Sequence, residues 1–413
     1  MIEVTIGILG LGTVGSAVFD ELHRHGEWLA RRSGIRFKVK RILVQDMGKK
    51  RDPRAESLVT SNPAEVLEDP SIQVVVELMG GYQPALDYVK RALHCGKQVV
   101  SANKHLLSNA WDILREACES GKAGMFFEAA VAGAVPIIRP LRHSLIANRI
   151  GELEAIVNGT TNFVLTEMRS HGASFAQALA KAQKLGYAEA DPSADVDGLD
   201  AARKMAILST LICNGPVYER SVSRRGIREV SQQDVEFAES NGFALKLLGG
   251  LRVLSVDSEG GCCSVSVSVE PALLPLDHPL AGVNDVLNGI WLKAEPAGEL
   301  LFTGHGAGGP ATASSVLGDL IFAANVAIGR AAPAPICGDW QVSVEKDERP
   351  QRWYLRADSL GVREMGDVAA TMGIKFQLLS EGTRGSCGIT APTPRGLAEA
   401  LAHRTGSFVA RVV

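Results

Sequence analysis

The stretch Val4-Thr5-Ile6-Gly7-Ile8-Leu9-Gly10-Leu11-Gly12-Thr13-Val14-Gly15-Ser16-Ala17-Val18 carries the architecture of the first half of the chain. Val4–Leu9 is a β-branched apolar run that reads as a strand, and Val14–His25 has a helical pattern. Between them lies a turn with glycines at 10, 12 and 15. In such a strand–turn–helix unit the first glycine allows a tight turn and the second lets backbone approach a pyrophosphate. The third lets the helix pack closely on its strand, with the phosphate at the helix N-terminus. A GxGxxG string alone is weak, and a glycine-rich turn with no ligand is the plainer reading. The flanking strand and helix favour dinucleotide binding, so Gly10, Gly12, Thr13, Val14 and Gly15 are the candidate cofactor contacts.

Outward from this turn, strands at Phe37–Val44, Val74–Leu78 and Gln98–Ser101 alternate with helical patterns at Pro84–Cys95 and Trp111–Ser120, and Met125–Ala129 continues the series. The alternation predicts an α/β fold, a Rossmann-type doubly wound parallel sheet. From Ala134 the character changes. Val135–Ile146 reads as helical and Leu153–Val157 as a strand; helices follow at Ala176–Leu185 and Leu199–Cys213, then strands at Leu245–Val253, Cys262–Val269 and Ile290–Ala294. That pattern predicts an α+β substrate and dimerisation domain. A glycine-rich turn at Gly304–Gly309 precedes another helical run. Ala331-Ala332-Pro333-Ala334-Pro335 has a stiff linker composition. Beyond it, segments from Trp353 to Val413 read as βαββαβ, a ferredoxin-like tail domain. The expected division is therefore residues 1–133, 134–330 and 340–413, with 301–330 packing back toward the cofactor site.

The chain's 413 residues suit two or three such domains at roughly 100–200 residues each. A net charge of −3 offers no footprint for nucleic acid or an acidic membrane face. No apolar run approaches the roughly 18–20 residues of a membrane span. The opening Met1-Ile2-Glu3-Val4 lacks a signal-peptide pattern, and the seven cysteines are scattered without CxxC spacing. A reducing cytoplasm is the expected home, with neither disulfide framework nor zinc site.

After the second strand, Asp46 favours NAD, whereas Lys49-Lys50-Arg51 favours the extra phosphate of NADP. The basic run could equally be a solvated loop, so NADP holds only a slight preference. Further along, Asp200 and Lys204 stand at i and i+4 on a helix otherwise filled by Leu199, Ala201, Ala202, Met205, Ala206, Ile207 and Leu208. On an exposed helix such a pair is a minor salt bridge. On one this apolar it is costly unless it lines a polar cavity, and spacing alone divides the two readings about evenly. Lys104 follows the carboxyl end of a parallel strand, where open α/β sheets bind ligands.

Taken together these segments resemble homoserine dehydrogenase. The resemblance rests on Gly10–Gly15, Ser101-Ala102-Asn103-Lys104 and Glu128-Ala129-Ala130-Val131-Ala132-Gly133-Ala134-Val135-Pro136. It rests also on Asn158-Gly159-Thr160-Thr161-Asn162, Leu185–Pro192, Asp197–Lys204 and Gly306-Ala307-Gly308-Gly309, in order over residues 1 to about 330. It implies reduction of L-aspartate 4-semialdehyde to L-homoserine by NAD(P)H, on the branch to threonine and methionine. Lys204 would pass a proton to the carbonyl oxygen, Asp200 would orient it, and Lys104 would act as a second polarising cation. Glu189 would hold the substrate ammonium, with Asp195 and Lys204 also at the substrate; Met79, Lys104 and Gly306 would join the cofactor contacts. Glu128, Val131, Gly133 and Val135 resemble the family's loop for a structural monovalent cation, Na+ or K+. A homodimer or homotetramer is implied too. Two departures stand out. Gln45 replaces an arginine common in relatives, and the tail, similar to an amino-acid-binding ACT domain, has Asp358-Ser359-Leu360-Gly361 in place of the usual Asp-x-Pro-Gly turn.

Two other classes compete. A semialdehyde-oxidising enzyme needs a cysteine nucleophile, and no cysteine falls in the Lys104, Glu189 or Lys204 segments. A dinucleotide-binding sensor of amino-acid supply has no need of the Glu189, Asp200 and Lys204 set.

Overall fold

The structure, a computed structural model, describes residues 1–257, 259, 261–382 and 385–413. Its elements begin β1 (Ile2–Leu9), α1 (Thr13–Ser33), β2 (Ile35–Leu43), β3 (Val59–Thr60), α2 (Ala64–Leu67), β4 (Val74–Glu77), α3 (Ala85–His94) and β5 (Gln98–Ser101). Then come α4 (Lys104–Leu107), α5 (Trp111–Gly121), β6 (Met125–Phe126), β7 (Arg149–Ile156), α6 (Gly159–His171), α7 (Phe175–Lys184), α8 (Ser193–Val196) and α9 (Leu199–Cys213). These are followed by β8 (Ser223–Arg224), α10 (Gln232–Ser240), β9 (Phe243–Asp257), β10 (Cys262–Pro275), β11 (Leu287–Glu295), β12 (Gly298–His305) and α11 (Gly309–Ala327). The chain closes with β13 (Gln341–Val344), β14 (Arg352–Ala357), α12 (Val362–Thr371), β15 (Phe376–Glu381), β16 (Ser386–Thr390), α13 (Arg395–Thr405) and β17 (Phe408–Val412). Among the described residues no helix is long and apolar enough to cross a membrane.

The chain forms two compact units: residues 1–147, 207–219 and 304–341, and residues 148–206, 220–303 and 342–413. These units cut across the three consecutive segments read from the sequence. The first is built on a six-stranded parallel sheet in the order β3-β2-β1-β4-β5-β6, the doubly wound arrangement. Its central strands β4 and β5 are buried along their whole length, whereas β2, nearer the edge, carries Arg36, Lys38, Lys40 and Arg41. One covering helix, α11, arrives from far along the chain: Ala313, Val316, Leu320, Ala323 and Ala324 pack in one core with Val4, Ile6, Ile8 and Val18. That long-range packing joins residues 304–341 to the first unit.

The helix expected over Val135–Ile146 is shorter, covering residues 138–144, and from Pro140 to Ser144 it is a π-helix. Pro136 and Pro140 lack amide donors. The amides of Ile137, Ile138 and Arg139 are taken by the carboxylate of Glu128, at 2.6, 2.8 and 2.8 Å. By contrast α1 runs eight residues beyond the expected His25, to Ser33, and stops at Gly34, whose φ of 74° suits a left-handed cap.

The second unit is organised by a mixed sheet in the order β12-β11-β7-β9-β10-β17-β14-β16-β15. The tail strands pair antiparallel, β17 with β14, β14 with β16 and β16 with β15. They enclose a small core of Trp353, Leu355, Met365, Leu401 and Val409. The tail is nonetheless continuous with the central sheet, because β17 adds to β10 in parallel, Ala272 opposite Arg411 and Leu273 opposite Val412.

Candidate active site

In the first unit the glycine turn closes over the end of β4. Gly10 has a φ of 97°, and a Cβ on it would lie 2.9 Å from the Leu78 carbonyl oxygen. A Cβ on Gly15 would lie 2.2 Å from the carbonyl oxygen of Gly10, so the helix can approach only as glycine. Gly12 differs: it caps α1 without a side-chain hydrogen bond, and nothing lies within 4 Å of where its Cβ would be. That open side adjoins a cavity of about 310 Å³ lined by Leu11, Gly12, Thr13, Ser16 and Phe19 and by the loop Lys49–Asp52. Val14, the second residue of α1, packs against the core of the sheet. Gly306 is buried, its carbonyl 2.6 Å from the position of a Cβ on Gly133. Gly309 opens α11 against Thr13, whose carbonyl would be 3.3 Å from its Cβ.

The basic loop and the acid play different parts. Asp46 turns its carboxylate to its own loop, accepting from the Gly48 amide at 2.8 Å, and the Arg51 guanidinium donates to the Asp46 carbonyl. Lys49, Lys50 and Arg51 line the cavity beside Gly12.

Sequence reasoning passed over Glu77, which ends β4 fully buried. Its Oε2 accepts from Ser101 Oγ at 2.6 Å; its Oε1 accepts from the amides of Met79 (2.9 Å) and Gly80 (3.3 Å) and from Asn103 Nδ2 (3.4 Å). Burial pushes its pKa up, while these donors pull the other way. Asn103 also caps α4 through Leu106 N at 3.0 Å, and Lys104 is the first residue of that helix. An acid closing the otherwise apolar run Val74-Val75-Val76 was the available signal.

Glu128 is buried as well, and its amide donates to Asp319 Oδ2 at 2.7 Å. Asp319 accepts from Arg139 at 2.7 Å, and burial pushes its pKa up to about 7. Val131 and Val135 are buried, and the Gly133 carbonyl accepts from Ser315 Oγ at 2.7 Å.

In the second unit the structure gathers the acid–lysine set around a residue not singled out beforehand. Asn158 follows β7 and caps α6, its Oδ1 accepting from Thr161 N at 2.8 Å. Its Nδ2 donates to Asp195 Oδ1 at 2.7 Å and to Asp200 Oδ2 at 2.9 Å. Lys204 Nζ donates to Asp200 Oδ2 at 2.8 Å and to the Val157 carbonyl at 2.6 Å. Asp200 and Lys204 are only 6% and 7% exposed, which excludes a surface salt bridge. Glu189 stands apart from this network, exposed on the loop after α7; Thr160 Oγ1 anchors that loop by donating to the Tyr187 carbonyl at 2.6 Å.

Buried ammonium and carboxylate, one turn apart and fixed by an asparagine, form a site able to donate a proton. The glycine turn and its cavity fit the phosphates of a dinucleotide. Family models agree in extent: the homoserine dehydrogenase NAD binding domain matches residues 10–128, and homoserine dehydrogenase matches residues 136–321. The curated homoserine dehydrogenase of Corynebacterium glutamicum is 40% identical over 386 residues, 92% of this chain and 86% of that one. That of Mycobacterium tuberculosis is 44% identical over 331 residues, 80% of this chain and 74% of its own. Among solved structures, a homoserine dehydrogenase from Thiobacillus denitrificans matches with a TM-score of 0.89 at 33% identity, covering 100% of this chain and 98% of that one. A hyperthermophilic archaeal homoserine dehydrogenase in complex with NADPH matches with a TM-score of 0.63 at 30% identity, covering 78% and 98%. The chain belongs to the homoserine dehydrogenase family.

Proposed function

We propose that the chain interconverts L-aspartate 4-semialdehyde and L-homoserine, a step toward threonine and methionine, and that NADP is the preferred cofactor over NAD. The observation that carries the reaction is the buried Lys204–Asp200 pair held by Asn158. A reduced nicotinamide, when bound, would supply the hydride that the aldehyde carbon gains. Lys204 Nζ gives its proton to the carbonyl oxygen as negative charge builds there, so carbon gains the hydride and oxygen the proton. Asp200 keeps that ammonium charged and aimed, and Asn158 fixes Asp200 and Asp195. Glu189, with Asp195, receives the substrate ammonium, and Lys104 adds a second positive charge at the reacting oxygen. In the reverse direction Lys204 accepts the alcohol proton.

The preference for NADP is supported by Lys49, Lys50 and Arg51 around the cavity and by the turning of Asp46 toward Gly48. Gly10, Gly12, Thr13, Val14 and Gly15 would hold the pyrophosphate, with Met79, Lys104 and Gly306 toward the nicotinamide. A Na+ or K+ ion at Glu128, Val131, Gly133 and Val135 is part of the same reading. Glu128 Oε2 accepts one amide, from Arg139, and retains acceptor capacity; backbone carbonyls complete an oxygen set suited to a hard cation. Such an ion would hold the turn in shape. A homodimer or homotetramer in the cytoplasm completes the proposal, supported by the exposed Leu301 on the edge strand β12 and by the free thiols of Cys95, Cys118, Cys337 and Cys387.

The test is nicotinamide absorbance on mixing purified protein with L-homoserine and NADP or NAD at mildly alkaline pH, in KCl, NaCl or choline chloride. Turnover faster with NADP and in an alkali-metal salt is expected. Silence with either cofactor, while both still bind, would replace this reading with a non-catalytic sensor.

A further inference from the structure

We propose that Glu77 is a positioning residue for the nicotinamide end of the cofactor, an inference that rests on the dinucleotide site described above. In a doubly wound sheet the ligand crevice lies beyond the carboxyl ends of the strands, where the strand order reverses. Here the reversal falls between β1 and β4, and three chain segments leave the sheet side by side: Gly10 after β1, Met79 after β4 and Ala102 after β5. Glu77 and Ser101 are register partners at the last rung of β4 and β5.

From that rung one buried carboxylate ties the next two segments together. Its Oε1 holds the Met79 and Gly80 amides, so it shapes the loop in which Gly80 and Gly81 both take left-handed φ values of 70° and 72°. The same oxygen accepts from Asn103 Nδ2, which also donates to the Gly81 carbonyl at 2.7 Å. Oε2 takes Ser101 Oγ, which in turn accepts from the Asn103 amide at 3.1 Å. Asn103 caps the helix that starts with Lys104. Glu77 thereby fixes the Met79–Gly81 loop against the turn that presents Lys104. All of its partners are donors, and all are lost together if the carboxyl is removed.

Geometry and charge are separable at this position. Glu77→Gln can keep its oxygen on the Met79 and Gly80 amides while its new amide donates to Ser101 Oγ; the charge disappears and the Ser101 bond reverses direction, but the link between the segments stays. Glu77→Ala takes the acceptor from four donors, of which Asn103 Nδ2 keeps the Gly81 carbonyl. The measurement is NADPH fluorescence titration of the full chain, with steady-state kcat and KM alongside. We expect E77A to bind NADPH at least about tenfold more weakly, with a lower kcat and an unchanged KM for homoserine, and E77Q to stay within about threefold of wild type. Should E77A not fold, Asn103→Asp is read instead: it keeps the cap on Leu106 but faces Glu77 with a carboxylate, and the same weakening is expected. A folded E77A with wild-type affinity would overturn the inference. So would an E77Q as impaired as E77A, since charge and not positioning would then be at work. Absence of any NADPH or NADH response in the wild-type protein would overturn the cofactor reading and this inference with it.

Discussion

Lys204 donates to Asp200 on its own helix and to the Val157 carbonyl just past β7, and both are short bonds in a buried setting. A lysine so placed is committed to a direction, which suits proton transfer better than salt-bridge stability. Lys204→Ala is expected to lower kcat by roughly 10²–10⁴-fold. NADPH affinity should stay near wild type, because the glycine turn is untouched; fluorescence titration beside steady-state rates checks both. Near-normal kcat in this variant would remove Lys204 from the reaction. The i, i+4 spacing of Asp200 and Lys204 was legible from residues alone, but their burial was not. Burial comes from β7 and α6, which carry Val157 and Asn158 to the pair from about forty residues away.

Elements in the second unit are joined by another buried lysine. Lys246 on β9 is 2% exposed and donates to Asn162 Oδ1 on α6 at 3.1 Å, and to the Val283 carbonyl and Asn284 Oδ1 (2.9 Å) in the turn before β11. Burial lowers its pKa from 10.5 to about 7. Between those values the unfolded chain keeps the proton that the folded chain has released, so stability rises with pH across that window and the burial penalty is felt in full below it. The urea midpoint of the wild type should climb from pH 7 to 10, and Lys246→Met should flatten that climb while lowering the midpoint throughout. An equal slope in both proteins would show that Lys246 does not titrate there. At this same scale the helix expected over Val135–Ile146 is present but shorter, running over 138–144 and π-wound from Pro140. Its start is set by Glu128, which takes the amides of Ile137, Ile138 and Arg139, and by Pro136, which lacks an amide donor.

Across the whole second unit, the tail is bound to the central sheet by buried charge as well as by the β10–β17 pairing. Arg395 on α13 forms a bidentate pair with Glu270 on β10 at 2.6 and 2.9 Å, and Arg411 on β17 meets Glu154 on β7 at 2.7 Å. Breaking a buried pair from one side strands the other charge, so Glu270→Ala is expected to cost about 3–5 kcal/mol. The double replacement Glu270→Leu with Arg395→Met should cost far less, because neither charge is then left buried alone. Urea denaturation of the three proteins decides this; equal losses in the single and double variants would show that the pair contributes through packing alone.

The sequence by itself determined the doubly wound half, since the glycine turn and the alternation of strands and helices are local signals written in neighbouring residues. It also contained, in order, the motifs from Gly10 to Gly309 that mark the family. What only the tertiary structure decided was which distant residues share an environment. It placed α11 on the first sheet beside α1, added β17 to β10, put Asn158 between Asp195 and Asp200, and set Glu77 against Ser101 and Asn103. The physical reason is the same in each case. Burial and hydrogen-bond satisfaction are properties of contacts across many residues of chain, and no window of sequence contains both partners.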